Sequence, residues 1–301
     1  MKNRKNLPNR QAQKHVSECC TGKTLQQSIF FGCPVAFGLD SDSNLHMPSI
    51  INVQELTRRF ELPDRDVVAA DQITFHVGAG EVFGLLGPNG AGKTTSMRMI
   101  LGLLKANSGF AEIHGFRSDE HPEEVKRRVG FVSSSAGVYQ WLTANEMLSF
   151  FGDIYGMSTE TCESRIEELS KLLGFEELLH RRCAGFSTGE KQRVNLARAM
   201  IHDPSVMIFD EPTLGLDVVG SQVIFRHIDL LREQGKAVIL CTHRLEQAQR
   251  VCDRFGLLHQ GKLVLGGTLS ELQQQTGRQD LVEIFVDIIE GKYSSEAATT
   301  D

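Results

Sequence analysis

Residues Gly87-Pro88-Asn89-Gly90-Ala91-Gly92-Lys93-Thr94-Thr95 constrain this chain more than any other stretch. They match G-x-x-x-x-G-K-[ST], follow a short apolar run at 81–86, and open a segment patterned as a helix over 93 to about 104. Each residue type has a physical reason. Glycines let the backbone wrap with its N–H groups pointing inward around a polyphosphate, and the helix start adds a favourable dipole. Lys93 supplies positive charge to the terminal phosphates, and the Thr94 hydroxyl suits a Mg²⁺ ion. Alone, the loop says only that the chain binds a nucleotide such as ATP. It also demands a strand–loop–helix unit, and so an α/β layer fold.

The rest of the pattern extends that unit. Strands are expected at 50–56, 72–77, 81–86, 130–133, 206–210 and 237–241, and a hairpin over 255–264 turning at Gln260-Gly261. A helix is expected over 218–234, and Asn107-Ser108-Gly109 reads as a turn. Residues 143 to about 182 are charged, helical in period and free of strand signals, with Thr143 and Glu146 spaced as a capping box. The expected fold is therefore a mainly parallel central sheet with helices on both faces, an antiparallel β subdomain and a helical insertion at about 137–183. Residues 1–48 carry six Lys/Arg against three Asp/Glu without sustained periodicity, and read as a disordered extension. Met47, just before the first strand, is an alternative start. The main domain is expected over 49–277, with a short helix and tail over 278–301.

A second chemical motif lies at 206–211. Its apolar run ends in Asp210 and Glu211, which a buried strand would deliver to the rim of a phosphate site. Asp210 suits the Mg²⁺ shell and Glu211 the polarisation of an attacking water. Acids after a strand are ordinarily caps or solvated charges; the glycine loop is what gives this pair meaning. A net charge of −6 argues against a nucleic-acid partner held by a broad basic face. Seven cysteines without C-x-x-C spacing read as free thiols of a reducing compartment. No apolar run reaches the roughly 20 residues needed to span a bilayer.

Between the two motifs stand Phe186-Ser187-Thr188-Gly189-Glu190 and Lys191-Gln192-Arg193, and after them Gly215-Leu216-Asp217 and His243. In this order the motifs resemble the ATP-binding cassettes of ABC transporters, over about residues 50–275. The resemblance implies an ATPase working as a dimer, a homodimer in the simplest case. Each ATP would then lie between the Lys93 loop of one subunit and Ser187 and Gly189 of the other. It implies Glu211 as general base, His243 as a contact to the γ-phosphate and water, Asp217 as a further nucleotide-binding residue, and Phe60 as the aromatic stacked on adenine. It also implies a separate transmembrane permease, docked on the helical insertion at the cytoplasmic face. The stretches 130–139 and 209–219 are most similar to single-cassette exporter ATPases, including the sodium-extruding type, which makes sodium ions or drugs the expected cargo. A soluble cassette ATPase acting on ribosomes or DNA is the alternative; it would normally carry two cassettes or a coiled coil, and neither is visible. A P-loop small-molecule kinase would not explain Phe186–Glu190 or His243. Two positions depart from the family pattern. Ser134 stands where a glutamine is usual, and Glu190 where glutamine is common, the latter also fitting an S-x-x-E capping box.

Overall fold

A computed structural model describes residues 49–133 and 137–293. The expected helical insertion is present. The reading of 1–48 as an extension, the tail after 293 and the role of Ser134 lie outside the described residues.

Two sheets organise the domain. The first is antiparallel, in the order β2-β1-β4-β5, from β1 (Ser49–Leu62), β2 (Arg65–Gly78), β4 (Ser108–Ile113) and β5 (Phe116–Arg117). The second contains β3 (Val82–Leu86), β6 (Val129–Ser133), β7 (Val206–Asp210), β8 (Ala237–Thr242), β9 (Arg254–His259) and β10 (Lys262–Gly267). Its order is β10-β9-β3-β8-β7-β6, with only the β9–β10 hairpin antiparallel. The central strands are apolar throughout because both faces are covered. Along β8, Val238 and Leu240 point into one core while Ala237, Ile239 and Cys241 point into the other. β7 repeats the alternation, with Met207 and Phe209 opposite to Val206 and Ile208.

Helices cover the sheet: α1 (Lys93–Ile100), α2 (Pro122–Arg128), α3 (Ala144–Ile154), α4 (Thr159–Leu173), α5 (Thr188–Met200), α6 (Val218–Glu233), α7 (Leu245–Val251), α8 (Leu269–Thr276) and α9 (Leu281–Ile289). α3 and α4 form the insertion, and the Thr143–Glu146 capping box starts α3.

Three expectations need correction. α1 ends at Ile100 rather than near Leu104, because Gly102 takes a left-handed backbone (φ 66°) where its missing side chain admits the Ser118 carbonyl. The expected turn at Asn107-Ser108-Gly109 instead opens β4, whose Gly109 sits against the bulged Gln54–Glu55 backbone of β1. β1 and β2 run well beyond 50–56 and 72–77, because hairpin pairing carries them past the apolar core into solvent.

Candidate functional site

β8 lies between β3 and β7, all three parallel, so their C-terminal ends meet at one edge of the sheet. Leu86 pairs with Thr242, and Asp210 with Cys241. The glycine loop, the acids 210–211 and the 242–243 segment, far apart in sequence, are thus neighbours. This is the edge at which open α/β sheets bind ligands.

The loop turns tightly over the sheet. A side chain on Gly87 would meet the Leu258 carbonyl at 2.3 Å, and one on Gly92 the Ala69 carbonyl at 2.2 Å. Gly92, at φ 107°, caps α1 without any side-chain hydrogen bond. Beside it opens a cleft of about 220 Å³, lined by residues 67–69 of β2, by Asn89, Gly90 and Gly92, by Lys93, Thr94 and Thr95, and by Asp210 and Glu211. Ala91 is buried beneath it.

Lys93 is buried, and its Nζ donates to the carbonyls of Gly87 (2.6 Å) and Pro88 (3.0 Å), 4.0 Å from Glu211. Burial lowers its pKa, opposed by the charges of Glu211 and Asp210. Burial likewise raises the pKa of Asp210, and the Glu211 charge raises it further. Two neighbouring acids and one desolvated lysine are groups that could hold a divalent cation and a polyphosphate. Among the described residues no three His, Cys, Asp or Glu side chains converge on a point.

Glu211 is the most constrained of these groups. Its backbone is left-handed (φ 49°), and its N–H donates to the Cys241 carbonyl at 2.9 Å. Oε2 accepts from the Thr242 hydroxyl (3.0 Å), and Oε1 from the His243 N–H (3.0 Å); His243 Nδ1 lies 2.7 Å from Oε1. Facing a carboxylate, Nδ1 is the protonated nitrogen of that ring.

The remaining sequence candidates lie apart from this cluster. Ser187 is exposed and caps α5, with Glu190 completing a capping box at 2.7 and 3.3 Å. The Ser187 N–H is the main reason the Glu190 carboxyl titrates below its usual range. Gly189 is half-buried in the same turn, and Asp217, exposed, caps α6 by accepting from Gly220 at 2.7 Å. None of the three lines the cleft of its own chain. Phe60, half-exposed, does not line it either; its cross-strand partner Val67 does, and the Arg58 guanidinium covers the Phe60 ring at 4.7 Å.

Sequence reasoning missed two contributors. The 67–69 segment closes the cleft from β2, with no motif to mark it. Thr242 bonds Glu211 from the end of β8; a hydroxyl closing an apolar run directly before His243 was the available signal. A larger cleft of about 480 Å³ lies elsewhere, but its cations are already paired: Arg165 with Glu168 and Asp203, Lys236 with Asp203.

Comparisons with known proteins identify the family and the fold. The family model described as ABC transporter matches residues 70–214. The ABC transporter ATP-binding protein NatA of Bacillus subtilis (strain 168) is 38% identical over 238 residues, covering 79% of this chain and 97% of its own. A solved ATP-binding subunit of an ABC transporter superposes with a TM-score of 0.72 at 32% identity, covering 80% of this chain and all of that one. A cassette solved as a dimer, after hydrolysis and with ADP and phosphate bound, gives 0.66 at 25% identity, covering 73% and 98%.

Proposed function

The chain belongs to the ABC transporter ATP-binding family, and on that premise we propose how its residues divide the work of hydrolysing ATP. It is an ATPase subunit whose hydrolysis drives transport. Lys93 and the backbone of residues 87–95 hold the phosphates. Thr94 and Asp210 would hold Mg²⁺; burial first and the Glu211 charge second raise the pKa of Asp210, and a bound cation would offset both. When bound, that ion screens charge building up on the phosphates during transfer. Glu211 is the general base, and His243 turns from Glu211 toward the γ-phosphate. The observation that carries this reading is the convergence of Lys93, Asp210 and Glu211 on one cleft at the end of β3, β7 and β8.

Two copies face each other, so that Ser187 and Gly189 of one close the site of the other, with Asp217 between them. The exposure of Ser187, and of Leu214, Val218 (78%) and Val219 beside Asp217, supports such a face. Phe60 lies beside Val67 at the cleft's edge and contributes an aromatic face for adenine. No helix among the described residues is long and apolar enough to cross a membrane. A separate permease supplies the pathway, with this subunit peripheral at the cytoplasmic face; the similarity to NatA, the ATP-binding protein of an ABC transporter, supports this reading. Its docking surface is the helical insertion, where Trp141 (81% exposed), Tyr139, Phe150 and Ile154 put apolar area into solvent. Export is the direction supported by the character of residues 130–139 and 209–219.

The test is Glu211→Gln. ATP binding should persist while kcat falls by about a thousandfold, the loss expected on removing a general base. Undiminished turnover would remove Glu211 from that role.

A further inference from the structure

We infer that Thr242 is the positioning residue that fixes the Glu211 carboxylate for hydrolysis. The inference rests on the reading of Glu211 as general base. A glutamate at the start of a loop would ordinarily sample several rotamers, and a base that rotates presents its lone pair to water only part of the time. Glu211 is instead referenced to the neighbouring strand. Its N–H is tied to Cys241, the Thr242 hydroxyl donates to Oε2, and the His243 N–H donates to Oε1.

The hydroxyl's direction is settled by its surroundings. Thr242 is buried, and its oxygen already accepts the Arg244 N–H at 3.1 Å. Its one proton is thereby directed to Oε2, 3.0 Å away. The acceptor carries the charge, so the bond is charge-assisted, at the long end of the range for a hydroxyl donor. Oε1 has two donors, both from His243. When the imidazole leaves to meet a γ-phosphate, the backbone N–H stays on Oε1, and Thr242 becomes the only side chain of the described set still donating to the carboxylate. Because β8 lies between the strands bearing the phosphate loop and the base, this bond also sets the base at a fixed distance from the loop.

The experiment measures steady-state ATPase of the full chain carrying Thr242→Val or Thr242→Ser, each alone and combined with Glu211→Gln, with fluorescent-nucleotide binding alongside. Thr242→Val should lower kcat by about ten- to a hundredfold, the range for a hydrogen bond to a charged group, with KM nearly unchanged. Thr242→Ser should restore most of the rate. On the Glu211→Gln background, where slow turnover is followed in single-turnover mode, Thr242→Val should add no further loss. If the valine variant does not fold, Thr242→Ala serves in its place. A valine or alanine variant with full kcat, a loss confined to KM, an equal loss on the Glu211→Gln background, or a serine variant as slow as valine would each overturn the assignment of Thr242. Full turnover by Glu211→Gln alone would instead remove the base reading, and the inference with it.

Discussion

Glu211 is held by the 241–243 segment through its backbone and both carboxylate oxygens, whereas every hydrogen bond of Ser187 among the described residues runs to Glu190 or Lys191 of its own helix. One region is locked into the sheet, and the other stands in solvent satisfied by its neighbours in sequence. The contrast follows from their proposed duties. A base must keep its geometry through many turnovers, so it is bonded to a buried strand. A group that meets the nucleotide of another copy must stay accessible and ordered at once, and a capping box achieves both by local bonds alone. The two regions are linked: Gln192, one turn into α5, donates to the carbonyl of Pro212, next to Glu211, at 3.0 Å.

The largest effect expected from this contrast is a rescue. Glu211→Gln and Ser187→Arg should each abolish ATPase activity by themselves. Mixed together, they form heterodimers in which one site carries both lesions and the other carries neither. Activity should therefore rise from near background to a substantial part of the wild-type rate, peaking near equal amounts. A mixture no more active than its components would break the idea that the exposed region serves another chain.

The next effect concerns the opposite end of α5, where exposure gives way to burial. His202, just past Met200, stacks on Tyr155 with ring centroids 3.7 Å apart, and its Nε2 lies 3.2 Å from the Val129 carbonyl while Nδ1 is buried without a partner. Burial, helped by Lys236 and Arg165 and opposed by the hydrogen bond to the Val129 carbonyl and by Asp203, pushes its pKa down to about 4 from an ordinary 6.5. The fold thus favours the neutral ring. Its contribution is fully present above the unfolded value and is lost as pH falls from 6.5 toward 4. The whole window is worth on the order of 3 kcal/mol. Thermal unfolding across that range should show a decline that His202→Gln flattens; identical slopes in both proteins would show that the ring's environment is not what this end of α5 depends on.

Much of both regions was legible in the sequence, and what escaped has a shared cause. β7 was read to the residue because a fully buried strand is a continuous apolar run, and the expected start of α6 at Val218 matches the structure, where Asp217 caps it. The glycine loop announced itself by residue type. β4 was hidden because its first residues, Ser108 and Gly109, carry turn chemistry that pairing with β1 overrides. Thr242 and residues 67–69 were hidden because their part in the site comes from strand order, which no local pattern encodes. The Ser187–Glu190 box was readable as a cap, since that contact is local.

The smallest effect separates capping from catalysis within the exposed region. The Glu190 carboxylate accepts the Ser187 N–H and lies 3.8 Å from Arg181, so its visible work is structural. Glutamine can make the same reciprocal bond, whereas alanine cannot. Glu190→Ala should therefore cost about 1 kcal/mol in denaturant unfolding, the usual worth of a lost cap, and Glu190→Gln a few tenths at most. ATPase rates should follow a different order. Glutamine removes a negative charge near the turn proposed to meet phosphate, so its rate should equal or slightly exceed that of the native chain, while alanine's falls modestly as α5 frays. If glutamine lost as much stability as alanine, the charge pairing with Arg181 rather than the reciprocal bond would be what orders Ser187, and the exposed region would be held by a longer-range contact than its local hydrogen bonds imply.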